Sequence, residues 1–287
     1  AISLGLVGPR ATGERVGRKA RCASLGNGSA AAIMGGIGYL LSSRMVFVVS
    51  FVFAVATVLS LWRIRDREID PQQAHGAVSR PKPDPRATSI FHLLRQRPLL
   101  IFAATVLLLQ LANAAMLPLM AGVVTARSSA SAPALIAASI IVPQAMVALI
   151  SPSVGRKAQS WGRRPLLMLA FAALALRGSL FSMTSDPSML VVIQALDGIT
   201  AAVFGVMVPL IVADITYGSG HFNLAQGIVG TATGIGASLS PALAGYASDH
   251  FGHDVAFMGL AAVAMVGLAV IWTAMPETKT SLSQESA

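Results

Sequence analysis

Apolar residues in this chain come in long, nearly unbroken runs, with the polar positions gathered between them. Eight runs stand out, at about residues 23–43, 45–62, 98–120, 134–154, 165–183, 188–213, 222–247 and 254–275. Each is near or above the roughly 20 residues a helix needs to cross the hydrocarbon of a bilayer. Pro118, Pro143, Pro209 and Pro241 fall within runs. Membrane bundles tolerate such prolines because neighbouring groups satisfy the backbone that proline frees. Eight runs with so few polar residues between them predict an all-α polytopic membrane protein, rather than a large soluble protein with buried helices.

The segments between the runs divide the chain. Residues 1–7 read as an apolar stub and residues 10–21 as a basic loop. The first full run is rich in Gly26, Gly28, Gly35, Gly36 and Gly38. Small residues let helix backbones approach closely in lipid. The second carries Phe47, Phe51 and Phe53, which suits a lipid-facing helix. Residues 63–97 hold eight basic residues together with Pro71, Pro81, Pro83 and Pro85. That composition predicts a flexible, partly extended linker, whose last residues, 89–97, form an interfacial turn or two. The expected organisation is therefore residues 1–62, a linker at 63–97, a six-helix unit at 98–275 and a tail at 276–287.

Composition narrows the function classes. The chain is 54% hydrophobic and only 11% charged, against roughly 25% charged in soluble domains. The net charge of +9 comes from short clusters between apolar runs. It is not a basic face with interleaved aromatics, so a nucleic-acid partner is excluded. The single Cys22 rules out an internal disulfide and a cysteine metal site. Ser248, Asp249, His250, His253 and Asp254 carry metal-ligating atoms, but short loops collect such residues and no metal is assigned. No phosphate-binding glycine loop, nucleophile elbow or HExxH pattern is present, so neither an enzyme nor a cofactor is expected.

Charge also sets orientation. Alternating the eight runs across a membrane places 18 Lys and Arg on one side and 2, Arg44 and Arg127, on the other, with Arg177 inside a run. Such a bias marks the first side as cytoplasmic, and Trp62, Trp161 and Trp272 fall near that interface. Linker and tail are then cytoplasmic and the protein sits in a cell membrane.

Residues 155–164 read G-x-x-x-Q-x-x-G-R-R: Gly155, Gln159, Gly162, Arg163 and Arg164. This resembles the loop signature G-x-x-x-D-x-x-G-R-R of the major facilitator superfamily of secondary transporters. Gln159 stands where the family has an acid, and it cannot form that ion pair. Glu14, Gly17, Arg18 and Lys19 make a half-match to the same signature. Residues 230–252 and the closing Met275-Pro276-Glu277-Thr278 resemble family members too. The glutamine pair of the family's sugar porters is missing, which argues against sugar uptake. The resemblance implies a complete C-terminal six-helix bundle preceded by two helices and the end of a third from the N-terminal bundle. It also implies transport of a small molecule by alternating access, with proton-coupled efflux expected. The alternatives are solute uptake, or a shortened, non-transporting membrane fragment that associates with itself through the incomplete bundle. A weak internal echo, Gln226-Gly227 to Gly234 against Asn27-Gly28 to Gly35, fits a fold built from repeats.

Polar groups inside the runs are the candidate chemistry. A charge at mid-bilayer costs about 2.5–3.5 kcal/mol on insertion scales and usually has a partner. Arg177 and Asp197 lie at depths of roughly 9 and 14 Å in successive antiparallel runs, so an ion pair or a water-bridged pair is predicted. Asp197 is also the candidate proton carrier. Gln110 with Asn113, and Gln194 with Asp197, are spaced i, i+3 and share helix faces. By resemblance these spans line the cavity, so the four, with Gln144 as a fifth, are the expected substrate contacts. Gly227, Gly230, Gly234 and Gly236 are expected to pack helix against helix.

Overall fold

A computed structural model describes residues 2–40, 43–62, 96–127, 132–217, 219 and 221–278. Among them are ten helices and no strand: α1 (Ile2–Leu40), α2 (Ser43–Leu61), α3 (Arg97–Asn113), α4 (Met116–Arg127) and α5 (Ala132–Trp161), then α6 (Arg164–Met183), α7 (Pro187–Ile193), α8 (Ala195–Ile215), α9 (Phe222–Phe251) and α10 (His253–Ala274). Linker residues 63–95 and tail residues 279–287 lie outside the described residues.

Among the described residues, seven stretches are long and apolar enough to cross a membrane: Arg44–Leu61, Arg97–Arg127, Ala134–Trp161, Arg164–Met183, Pro187–Ile215, Phe222–Phe251 and His253–Ala274. The eighth expected span, 23–43, is described to residue 40 and is not among the seven. It continues the same helix as residues 10–21, which were expected to be a loop. Gly, Ser and Asn keep this stretch less apolar than the others, and nothing between residues 10 and 21 stops a helix. The second basic loop also shrinks. α5 runs on to Trp161, so only Gly162 and Arg163 lie between α5 and α6. Gly162 has φ +95°, a left-handed conformation that Gly adopts without the Cβ penalty.

Two spans are interrupted. Pro118 lacks an N–H and its ring crowds the carbonyl four residues back, and the chain breaks at Ala114–Ala115, between α3 and α4. The Ala115 N–H donates instead to the Ser240 hydroxyl of α9, at 3.0 Å. The second break is at Gln194, where the Asp197 N–H bonds the Gln194 carbonyl three residues back at 3.0 Å. The short α7 before it is capped by the Asp186 carboxylate, which accepts from the Met189 N–H at 2.8 Å.

The main packing partners form a chain of neighbours: α9 on α3, α3 on α10, α10 on α6, α6 on α8, α8 on α5, and α5 on α1. α2 packs on α1, and no residue of its apolar stretch is buried, as suits a helix solvated by lipid. The core is centred on α3, α6, α8 and α10. There Phe171 meets Phe204 edge-on at 5.8 Å, and Phe181 meets Phe257 at 5.2 Å.

Glycine packing departs from expectation. In α9 only Gly236 is a close contact, facing the Leu107 carbonyl and Gln110 Cβ of α3. A Cβ on Gly227, Gly230 or Gly234 would meet nothing within 4 Å among the described residues. The buried stripe of α9 runs through Ala225, Val229, Ala232, Gly236, Ser240 and Ala244, and those three glycines lie on another face. In α1 the close approach is not at Gly26, Gly35 or Gly36 but in the basic half. A Cβ on Gly13 would come within 3.2 Å of the Gly155 carbonyl, and one on Gly17 within 2.7 Å of the Ser151 carbonyl.

Candidate functional site

Arg177 of α6 is 1% exposed, the largest side chain buried outright among the described residues. Its guanidinium has a partner on every side. Nη1 pairs with Asp197 Oδ1 of α8. Nη2 donates to Asn113 Oδ1 at 2.8 Å. Nε lies 3.1 Å from Met116 Sδ, and the Phe181 ring is 5.8 Å away. In a low-dielectric interior such pairing is what lets a charge stay buried. The side chain of Asp197 is 22% exposed, so the pair has one sealed end and one accessible end.

Both helix breaks contribute to this cluster. Asn113 is the last residue of α3 and Met116 the first of α4, while Asp197 lies in the first turn of α8, where helix N–H groups favour a carboxylate. Interrupted helices meeting at intramembrane charges are a recurring construction in transporters. Next to Asp197, Gly198 allows α5 to approach: a Cβ there would be 2.7 Å from the Pro143 carbonyl.

The five expected substrate contacts do not converge on one surface. Asn113 and Asp197 join Arg177. Gln110 instead turns to α9 and Gly236. Side chains three residues apart on a helix diverge by about 60°, enough to reach different neighbours. Gln194 is 1% exposed, at the α7–α8 break, and its amide oxygen has no partner among the described residues. Gln144 accepts a hydrogen bond from the Ser24 hydroxyl of α1. It lines a cavity of about 390 Å³ among α1, α5, α8 and the start of α9. That cavity exists because α8 presents Ala201, Gly205, Pro209 and Ala213 at four-residue steps, with little side-chain volume.

The signature residues form a second polar centre at one end of the bundle. Arg163 is 5% exposed. Its Nε donates to Asp214 Oδ2 at 2.9 Å and its Nη1 to the Ala158 carbonyl at 2.6 Å. The Glu277 carboxylate accepts from the backbone N–H groups of Arg163 and Arg164, at 2.8 and 3.1 Å, and so caps α6. Arg164 also donates to the Trp272 carbonyl. A Cβ on Gly162 would be 2.5 Å from Glu277 Oε2. Gln159 lies against Gly13 of α1, so the two basic signatures pack side by side. Asp214 and Glu277 were missed as partners. The signal available was a carboxylate at each of two span ends facing the arginine-rich turn. Among the described residues, no group of three or more metal-ligating side chains comes together.

A bundle of membrane-length helices with a buried ion pair at interrupted helices belongs to the class of polytopic transport proteins. The comparisons take this further. The family model of the Major Facilitator Superfamily matches residues 111–287. Two proteins named as uncharacterized MFS-type transporters are each 39% identical over 279 residues. They are MT2531 of Mycobacterium tuberculosis strain CDC 1551 / Oshkosh and Rv2456c of strain ATCC 25618 / H37Rv. The aligned region is 97% of this chain and 67% of each relative. The chain belongs to the major facilitator superfamily. It is a multi-pass membrane protein of a transporter family, with lipid as its solvent and a small molecule as its class of substrate.

Proposed function

We propose that this protein exports a small molecule by alternating access and couples export to inward proton movement. The observation that carries the proposal is the buried Arg177–Asp197 pair, sealed by Asn113 and Met116 and partly exposed at the Asp197 end. Protonating Asp197 removes the counter-charge of a fully buried guanidinium, so proton occupancy and helix arrangement become linked. Asp197 is the proton-carrying group and Arg177 its positioning partner. The turn held by Arg163, Asp214 and Glu277 supports closure of one end. The bias of 18 basic residues to 2 supports assigning that end, the linker and the tail to the cytoplasm of a cell membrane.

The test is flux in proteoliposomes under an imposed proton gradient, for the chain and its Asp197→Asn variant. Gradient-driven flux in the first and gradient-independent flux in the second is the expected result. Unchanged pH dependence in Asp197→Asn would overturn the proton role.

A further inference from the structure

The cavity among α1, α5 and α8 has a definite chemical character. Its one charged lining residue is Lys19, and no carboxylate lines it. Lys19 makes no ion pair among the described residues, whereas its helix neighbour Arg18 is already paired with Glu14 at 2.5 Å. The carboxylate next in sequence to a lining position, Asp214, has both oxygens engaged by Arg163, at 2.9 and 3.4 Å. Arg15, one turn before Lys19 on α1, adds positive potential on the same side. Ser24, Asn27 and Gln144 line the wall beyond Lys19. Because Ser24 donates to Gln144 Oε1, Gln144 offers its NH₂ group, a donor. The remaining wall is apolar, with Val16, Val147, Pro209 and Phe222. At about 390 Å³ the space falls within the roughly 300–1,000 Å³ typical of small-ligand pockets.

We infer that this cavity binds an amphipathic organic anion, its acidic group on the Lys19 ammonium and the amide donors, its apolar body against Val147, Pro209 and Phe222. A cation there would face the Lys19 ammonium with no carboxylate among the described lining residues, whereas an anion gains charge-assisted hydrogen bonds. The inference rests on the transport reading for its biological meaning, but the binding it asserts is separable from transport. It is also independent of Asp197, which does not line the cavity. Gly205 supplies an independent handle. A Cβ there meets nothing within 4 Å among the described residues, and Gly205 lines the cavity, so a side chain placed there starts in open space at the cavity wall.

The experiment uses the full chain in lipid nanodiscs and three probes sharing one skeleton: 4-phenylbutyrate, 4-phenylbutanol and 4-phenylbutylammonium. Ligand-induced thermal stabilisation is followed for the parent, Lys19→Gln, Lys19→Arg and Gly205→Leu. The expected result is binding of the carboxylate at least tenfold tighter than of the ammonium. Lys19→Gln should abolish that preference, Lys19→Arg should keep it, and Gly205→Leu should weaken all three probes. Equal or tighter binding of the alcohol or the ammonium, an unchanged preference in Lys19→Gln, or no binding of any probe would each overturn the inference. Flux of 4-phenylbutyrate, measured in parallel, separates the two readings. Binding without flux would sink transport and leave the anion site standing.

Discussion

Arg177 depends on Asp197 for its counter-charge, and that dependence can be measured. Removing one partner of a buried pair costs about 3–5 kcal/mol, whereas replacing both by apolar groups of similar size is often neutral or stabilising. Asp197 is partly exposed, so the lower end of that range applies. Thermal unfolding in detergent should show a large loss for Asp197→Leu and recovery of most of it in the Arg177→Met/Asp197→Leu double variant. Equal losses in the single and the double would mean that Arg177 does not depend on its partner. The two charges could be picked out of the sequence because they are isolated in hydrocarbon, and their depths were close enough to suggest a pair. Asn113 and Met116 as the other partners could not be, because a neutral side chain in a membrane run carries no sign of which neighbour it meets.

Elements are limited here by backbone groups that need partners. Ser240 of α9 satisfies the Ala115 N–H at the α3–α4 break. Ser240→Ala leaves that buried donor unpaired, at a cost of about 1–3 kcal/mol. The expected readout is faster amide hydrogen exchange in the first turn of α4, with α10 unchanged. The turn between α5 and α6 is a second case. Gly162→Ala meets both the positive φ and the Glu277 carboxylate, and Glu277→Ala uncaps α6. Both variants should speed tryptic cleavage after Arg163 relative to the parent; the Arg164–Pro165 bond resists trypsin. The runs located the spans, since hydropathy reports where lipid lies. They did not locate the helix ends: α5 continues through Gly155 to Trp161, and α1 passes straight through its basic stretch. Water stops neither helix, so a polar segment outside the membrane looks the same in sequence whether it is loop or helix.

At the scale of the whole molecule the two polar centres and the cavity occupy different places: an ion pair inside the bundle, a capped turn at one end, and a space between α1 and the α5–α8 pair. The orientation proposed from basic residues is tested by cysteine labelling. In a Cys22→Ser background, Ser160→Cys at the basic end should react with a membrane-impermeant maleimide only from the cytoplasmic face. Asp249→Cys at the far end of α9 should react only from the opposite face. The reverse pattern would invert the topology.

Sequence alone was enough for the solvent, the helical class, the family resemblance and the two intramembrane charges. Each follows from local physics, whether the length of an apolar run, the cost of a charge in hydrocarbon, or a short motif. Which glycines touch, which carboxylates hold Arg163, and which glutamine lines the cavity were decided only in the folded bundle. A helix presents several faces at once. Gly236 meets a neighbour and Gly234 does not, and the choice depends on where α3 comes to lie, which residues within α9 do not encode by themselves.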